Sequence, residues 1–253
     1  NDGRIILEQL IVEARIFYKA HYSESPHTVR IYVSTENGRW NEQKTMHVPG
    51  FENIYLPNED YKALQHDIQV LRSEHDLYKD MGWHYKRSYM FSGEPGAGKT
   101  STIHAIASTQ KKHVAMLVLT PKMDNNALLN LLSDLPENTI LVLEDLDRAF
   151  EGIKDQHEKL TMWLTFLDGS ILNTANSTSE DDPQLIIITA NDPSKLPQAL
   201  IRPGRVDFRL KFYFAQRTQI LSLLQKTYKK HLAEDAKLQS KIEDIATIFE
   251  KES

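Results

Sequence analysis

One short segment constrains this chain more than any other feature: the run GEPGAGKT over residues 93–100. It follows an apolar run and precedes a segment with helical periodicity, which is the context in which a P-loop binds phosphate. Its glycines let backbone amides turn toward phosphate oxygens, and the following helix adds the positive end of its dipole. A chance glycine-rich turn is the alternative, and the strand–loop–helix context argues against it.

The chemistry of this segment predicts binding of ATP and Mg²⁺. Lys99 is expected to reach the β- and γ-phosphates, and the Thr100 hydroxyl is expected to ligate Mg²⁺. The predicted nucleotide-binding residues are the whole loop and the residue after it: Gly93, Glu94, Pro95, Gly96, Ala97, Gly98, Lys99, Thr100 and Ser101.

Five apolar runs alternate with helical segments from residue 85 onward. They are uniformly apolar rather than alternating, which is typical of parallel strands covered on both faces. We therefore predict an α/β fold with a five-stranded parallel sheet between helices. The runs are 88–91, 114–119, 139–143, 185–189 and 210–214.

The two ends of the chain differ in style from this core. Apolar periodicity predicts a helix over 5–20, and alternation up to the turn dipeptide Asn37-Gly38 predicts a hairpin. We expect a helix-plus-hairpin module over 1–56, a nucleotide-binding core over 57–215 and a short helical lid over 216–253. A helix is expected from about residue 57 to about residue 79, and an exposed loop over 173–184.

Polar side chains follow two of the predicted strands. Glu144 and Asp145 end the third strand, where carboxylates of an open α/β sheet face the nucleotide crevice. We assign Glu144 to Mg²⁺ and Asp145 to activation of the attacking water; a solvated acidic turn is the alternative. Asn191 follows the fourth strand, where it would orient that water or touch the γ-phosphate, although such a residue also suits a simple turn.

Two arginines, Arg202 and Arg205, flank a Pro-Gly turn after the fourth strand. They are interpreted as arginine fingers that neutralise a neighbouring subunit's γ-phosphate, an effect worth roughly 10³–10⁵ in rate. Surface salt bridges are the alternative. Fingers that act on a neighbour require an oligomer, and Arg205→Ala should then abolish turnover while leaving nucleotide binding nearly intact.

Composition narrows the possible partners. The net charge of −5 gives no electrostatic reason to expect nucleic acid, and the absence of cysteine excludes disulfides and thiolate chemistry. There is no apolar run of roughly 18 residues that would span a bilayer. The chain begins at Asn1 rather than Met, so we interpret it as a fragment or a processed product, which leaves a membrane anchor upstream of Asn1 open.

These segments together resemble an AAA ATPase in order and spacing: the P-loop, the acidic strand end, Leu-Asp-Gly at 167–169, Asn191 and the arginine pair. Within that family the chain is most similar to the BCS-type proteins, on LEDLDRAF (143–150), RPGRVD (202–207) and the approach to the P-loop from Met81. The resemblance implies a homo-oligomeric ring, heptameric, at the mitochondrial inner membrane with its ATPase facing the matrix. It also implies a folded, Rieske-like protein client and a reduced lid; outside that resemblance a cytoplasmic location is expected.

The chain also departs from the family pattern. Glu94 replaces a proline of the P-loop, and the Asn that often precedes Leu-Asp-Gly is absent, so we expect a divergent member whose client is open. The loop at 120–126 lacks an aromatic residue and a glycine, and Met123 is its only large apolar side chain. This disfavours threading of an extended chain and favours a folded client. The alternatives are a nucleic-acid-linked or defence-related AAA ATPase, and a nucleotide-dependent regulatory switch, since the Glu-Asp order reverses that of most relatives.

Overall fold

A computed structural model describes residues 28–120, 123–150, 156–168 and 183–228, together with positions 239, 242, 243 and 247. Three predictions fall largely on other residues and lie outside the described part. They are the helix at 5–20, the loop at 173–184 apart from its last two residues, and the lid beyond residue 228.

A seven-stranded sheet forms the centre of the described structure, and its spatial order is β2-β1-β4-β5-β6-β3-β7. The five predicted strands are confirmed, and they are parallel to one another. The strands are β1 (Thr28–Ser34), β2 (Trp40–His47), β3 (Lys86–Gly93), β4 (His113–Val118), β5 (Thr139–Glu144), β6 (Gln184–Ala190) and β7 (Phe208–Phe212).

The predicted hairpin is also present, and it extends the sheet by two strands. β1 pairs with β2 in the antiparallel sense and with β4 in the parallel sense, with Ile31 opposite Val114. Trp40, the first residue of β2, donates its indole N–H to the carbonyl of Leu131 at 2.9 Å. The sheet therefore has seven strands where the apolar runs alone predicted five, because β1 and β4 pair across a sequence separation that leaves no local pattern.

Seven helices surround this sheet in the described part of the chain. They are α1 (Asn58–Ser73), α2 (His75–Asp80), α3 (Lys99–Gln110), α4 (Asn125–Ser133), α5 (Leu146–Phe150), α6 (Gln156–Leu167) and α7 (Arg217–Thr227). The single helix predicted over 57–79 is broken at Glu74, whose backbone (φ −96°, ψ 7°) leaves helical geometry. Short 3₁₀ turns occur at Phe51–Asn53 and Pro193–Lys195.

Alternate residues of each central strand enter two separate cores, one on each face of the sheet. In β5, Ile140 and Val142 belong to the core that α1 and α3 cover, while Leu141 and Leu143 belong to the core that α4 and α6 cover. All four of these side chains are fully buried. Apolar residues at every position of a strand are thus explained by helices on both faces.

The order of the strands sets the position of the site. The chain passes from β3 to β4 over two intervening positions and later returns, so β3 lies between β6 and β7. The carboxyl ends of β3, β5 and β6 therefore meet near a point where the strand order reverses, which is where open α/β sheets bind ligands. Within the described residues, no helix has the length and apolar character needed to cross a membrane.

Candidate functional site

The P-loop leaves β3 at a position that only glycine can occupy. Gly93 has φ +138°, and a Cβ there would lie 2.0 Å from the carbonyl oxygen of Phe212 on β7. Further along, Gly98 (φ +103°) precedes α3, and no side chain caps the first turn of that helix. A Cβ on Gly96 or Gly98 would meet nothing within 4 Å, so open space lies beside the loop. The loop and the uncapped helix end together form a cradle that fits phosphate.

Lys99 is buried at the base of this cradle, where it is 8% exposed. Its Nζ donates to the carbonyl oxygens of Gly93 and Glu94 and to Asn191 Oδ1, the last two at 3.0 Å. Burial lowers the pKa of Lys99, while the negative charge of Asp145 and other nearby carboxylates opposes that shift. All three donor positions of the ammonium are thus directed at oxygen atoms of the protein.

The two predicted Mg²⁺ ligands suit an ion bound mainly through a nucleotide. Glu144 is the last residue of β5 and is half-buried, and both its burial and the neighbouring Asp145 raise the pKa of Glu144. Thr100 is exposed in the first turn of α3. Among the described residues, no group of three or more His, Asp or Glu side chains could hold a metal. One carboxylate and one hydroxyl fit Mg²⁺, which usually takes its remaining ligands from phosphate and water.

Asp145 is held in a fixed position immediately after β5. Its backbone is left-handed (φ +46°), and its N–H donates to Thr189 Oγ1 on β6 at 2.9 Å. Oδ1 accepts from Asn191 Nδ2 at 3.3 Å, and Oδ2 lies 3.2 Å from Arg148 Nη1. The structure therefore brings three predicted residues together, since Asn191 bridges Lys99 and Asp145.

Asp147 has a positioning contact that sequence reasoning did not assign. Its side chain is 3% exposed, and its Oδ2 accepts from the backbone N–H groups of Asn191 (3.1 Å) and Asp192 (2.9 Å). The carboxylate therefore fixes the loop after β6 that carries the Asn191 side chain. An acidic residue in the first turn of a short helix is a weak signal, because such residues also suit the helix dipole.

The structure does not bring the two predicted arginines to the phosphate cradle. Phe208 pairs with Tyr89 and Phe212 with Gly93, so the start of β7 lies about 13 Å from the end at which the P-loop begins. Arg202 and Arg205 precede β7, and they therefore lie at the opposite edge of the sheet. Neither arginine is therefore placed to reach the phosphate cradle of its own chain.

The two arginines also differ from each other. Arg205 donates to both carboxylate oxygens of Asp168, at 2.7 and 2.8 Å, and to the carbonyl of Ala199 at 2.7 Å. Arg202 is exposed, and among the described residues its side chain has no hydrogen-bond or ion-pair partner. The salt-bridge alternative is thus realised for Arg205, whereas Arg202 is available to another molecule.

A cavity beside the phosphate cradle was not predicted at all. It measures about 370 Å³ and lies between the segment 54–58 and α7, which contributes Thr218, Gln219 and Ser222. A smaller cavity shares Leu56, Pro57 and Gln219 with it and is also lined by Ala97 of the P-loop. The pair of cavities offers room for a base next to the phosphate site. No motif marks it, because its walls come from short segments far apart in the chain.

Comparison with known proteins was made against this geometry. The family model described as "ATPase family associated with various cellular activities (AAA)" matches residues 89–214. This chain belongs to the AAA family of ATPases. Its AAA domain includes β3 to β7, the P-loop, the acidic strand end, Asn191 and both arginines.

Individual relatives point to the predicted subgroup. The chain is 27% identical to the probable mitochondrial chaperone bcs1 of Schizosaccharomyces pombe over 226 residues, 89% of this chain and 49% of that protein. It is 31% identical to the human mitochondrial chaperone BCS1 over 168 residues, 64% of this chain and 40% of that protein. It is 30% identical to the Arabidopsis thaliana protein Hyper-sensitivity-related 4 over 188 residues, 68% of this chain and 32% of that protein.

These relatives confirm the expectation of a divergent BCS-type AAA protein, and the AAA assignment supports the predicted ATP hydrolysis. The chain spans about half the length of the curated relatives it matches, or less. One further finding concerns the loop at 120–126. Met123, its only large apolar side chain, is 4% exposed and packs in the core under α4. Its side chain is therefore not available to contact a client.

Proposed function

We propose that this protein is the ATPase subunit of a homo-oligomeric ring that translocates or remodels a protein client, with each ATP bound between two copies. The observation that carries the proposal is the separation within one chain of the phosphate cradle and Arg202. One copy cannot complete the catalytic site, because its Arg202 lies at the opposite edge of its own sheet from the cradle. A ring places that edge against the cradle of the next copy.

Each residue of the cradle then has a defined task. The amides of the P-loop and the Lys99 ammonium bind the β- and γ-phosphates, while Thr100 and Glu144 would hold Mg²⁺. Bound there, Mg²⁺ would neutralise the charge that develops on the phosphate oxygens. Asp145 accepts the proton of the attacking water, and Asn191 keeps that carboxylate in place through its amide group. The cavity between segment 54–58 and α7 takes the adenine base.

The neighbouring copy supplies the remaining charge. The Arg202 side chain is exposed and has no polar partner within the described residues of its own chain, so it is the arginine we assign to the γ-phosphate of the next subunit. Arg205 is held by Asp168, and we assign it to support the turn that presents Arg202. This divides between two residues the role that the sequence predicted for both.

We also propose a client, an assembly and a location for this chain, and the relatives support each of them in general terms. Curated relatives are named as mitochondrial chaperones, which favours a protein client and a mitochondrial location for this chain. With Met123 buried, the loop at 120–126 offers no large apolar side chain in its described residues, which supports a folded client, Rieske-like by resemblance. A heptameric ring at the inner membrane, and the division of the chain at residues 56 and 215, belong to the same proposal.

Mixing two inactive variants tests the shared site. Lys99→Ala loses its own phosphate binding but keeps Arg202, whereas Arg202→Ala keeps its cradle. Neither variant should hydrolyse ATP alone. An equal mixture should recover about a quarter of wild-type turnover, because about a quarter of the subunit interfaces then pair an intact cradle with an intact Arg202. Arg72→Ala, on the exposed face of α1, is the matched control and should hydrolyse ATP at the wild-type rate.

Three outcomes would redirect the proposal. A mixture that stays inactive, although size-exclusion chromatography shows mixed oligomers, would exclude action in trans. Turnover by the wild type that depends on added DNA would favour a nucleic-acid-linked ATPase. Tight binding of ATP without turnover by the wild type would favour a regulatory switch.

A further inference from the structure

Arg148 lies next to the carboxylate that we assign to water activation, and neither the motifs nor the family assignment gives it a role. It is three residues beyond Asp145, on α5, and its Nη1 is 3.2 Å from Asp145 Oδ2. Its side chain is 66% exposed, so the guanidinium lies at the mouth of the site rather than in the core. Solvent-exposed ion pairs of this kind contribute little to stability, so the contact can be exchanged at small cost.

Of the two partners, the carboxylate is the fixed one. The backbone N–H of Asp145 donates to Thr189 Oγ1, and Asp145 Oδ1 accepts from Asn191 Nδ2. Arg148 has a long side chain that lies largely in solvent. Among the described residues, Asp145 is the polar partner of this side chain. The pair therefore separates by movement of the arginine, while Asp145 keeps its place.

The pair is also connected to the phosphate cradle. Asn191 accepts a hydrogen bond from Lys99 Nζ and donates one to Asp145. The Asn191 side chain therefore connects Lys99 to Asp145, the residue with which Arg148 pairs. The positive charge of Arg148 adds to the burial that lowers the pKa of Lys99. Its guanidinium is therefore within electrostatic range of the ammonium that binds the γ-phosphate.

We propose that Arg148 is a γ-phosphate sensor acting within its own chain: it pairs with Asp145 when no triphosphate is bound and transfers to the γ-phosphate when ATP arrives. This inference rests on the proposed function, in which Lys99 binds that phosphate and Asp145 accepts the proton of water. In the resting pair the guanidinium covers Asp145 Oδ2. The γ-phosphate carries more negative charge than a carboxylate and draws the guanidinium away, which frees that oxygen.

ADP has no γ-phosphate, so the resting pair persists when the product is bound. Arg148 thus makes the availability of Asp145 depend on the triphosphate. Arg202 of a neighbouring copy and Arg148 of the same chain would approach the γ-phosphate from different sides, and only Arg148 would be released from a partner carboxylate in the process.

Equilibrium binding separates this role from a general effect on the site. With Mg²⁺ present, calorimetry on the full chain measures the affinity for ADP and for an ATP analogue with an imido β,γ-bridge. Arg148→Ala should weaken binding of the triphosphate analogue roughly tenfold and leave binding of ADP unchanged. Arg148→Lys should restore part of the loss, because it keeps the charge without the fork of donors. Arg72→Ala is the matched surface control.

A double-mutant cycle tests the exchange itself. Asp145→Asn removes the resting partner, so the triphosphate analogue should bind several-fold more tightly when Arg148 is present. The same change should have no such effect in the Arg148→Ala background. Additive effects of the two substitutions would overturn the sensor, and so would equal weakening of ADP and triphosphate binding or no effect on either.

Lys99→Ala keeps this test distinct from a test of the proposed function. It should weaken binding of both nucleotides in every background. If Lys99→Ala leaves both affinities unchanged, the proposed site itself is wrong; if Lys99→Ala has its effect and Arg148→Ala does not, only the sensor is wrong.

Discussion

The two edges of the central sheet are built in different ways. At the carboxyl ends of β3, β5 and β6, the phosphate edge, polar side chains are joined in a continuous network from Lys99 through Asn191 to Asp145 and Arg148. At the opposite edge, the arginine edge, Arg205 is locked to Asp168 and Arg202 faces solvent. The phosphate edge is organised within the chain, whereas the arginine edge leaves one charge available for another molecule.

Under the proposed function, this difference explains how a single chain carries both halves of a catalytic site without using them on itself. Register along β3 and β7 keeps the halves about 13 Å apart before the lengths of the side chains are considered. Substitutions at the phosphate edge should therefore affect nucleotide binding in the same copy. Substitutions at the arginine edge should affect turnover in a neighbour and leave binding intact.

Lys99→Ala is expected to give the largest effect, because it removes the buried cation of the phosphate edge. ATP should bind roughly a hundredfold more weakly, and turnover should fall at least roughly 10³-fold. Calorimetry and a coupled phosphate assay measure the two quantities. Lys79→Ala, which removes an exposed lysine of α2, is the control. Unchanged ATP affinity in Lys99→Ala would contradict the assignment of the phosphate edge as the ATP-binding site.

Arg202→Ala tests the arginine edge with the next largest effect. Turnover should fall by roughly 10³, the low end for an arginine finger, with ATP affinity within about twofold of wild type. Arg205→Ala should lower turnover less and also lower the free energy of unfolding by about 1 kcal/mol, because Asp168 and the Ala199 carbonyl lose their partner. Initial rates and urea unfolding compare the variants, and a larger turnover loss in Arg205→Ala would reverse the assignment of the two arginines.

Asp147→Ala, at the phosphate edge, should lower both the stability of the fold and the rate of turnover. Two backbone N–H groups, of Asn191 and Asp192, lose a buried acceptor, so the free energy of unfolding should fall by about 1–3 kcal/mol. Turnover should fall with little change in the Michaelis constant, because Asn191 is displaced from Asp145. Asp147→Asn keeps one acceptor and should show less than half of each effect. Asparagine and alanine variants that behave alike would mean that charge rather than hydrogen bonding matters here.

The pH dependence of the Asp168–Arg205 pair is the smallest expected effect. The hydrogen bonds from Arg205 hold the pKa of Asp168 below its usual value of 3.8. A depressed pKa stabilises the fold above the usual value, and that contribution is lost as the pH falls below about 4. Because the Asp168 side chain is 46% exposed, the contribution at pH 7 should be less than about 1 kcal/mol. Urea midpoints of wild type and Asp168→Asn should converge as the pH is lowered toward 3, and a widening gap would contradict the pair.

Much of the phosphate edge could be predicted from the sequence, because its residues lie either in one contiguous run or at the ends of parallel strands. The cradle is a contiguous run, and Glu144, Asp145 and Asn191 each follow an apolar strand, so parallel pairing alone brings them to one edge. The strands themselves were predictable because burial on both faces favours runs of consecutive apolar residues.

The remainder could not be predicted for identifiable physical reasons. The hydrogen bond from the Asn191 backbone N–H to Asp147 and the hydrogen bond from Arg205 to Asp168 join distant segments of the chain, and such contacts leave no periodicity in the sequence. The pairing of β1 with β4 is a non-local contact of the same kind. The cavity between segment 54–58 and α7 is lined partly by small polar residues such as Thr218 and Ser222, and these have no characteristic pattern.

Strand β7 begins just after the arginine turn and ends where the carbonyl of Phe212 touches the start of the P-loop at Gly93. An extended strand of five residues is about 17 Å long and resists compression because its backbone is hydrogen-bonded to β3 along its length. A displacement of the turn at Arg202 would therefore be transmitted along β7 to the phosphate cradle of the same copy. If the proposed ring forms, loss of the phosphate from one site would move the Arg202 turn that contacts it and, through β7, the cradle of that second copy, so that the copies would hydrolyse ATP in sequence.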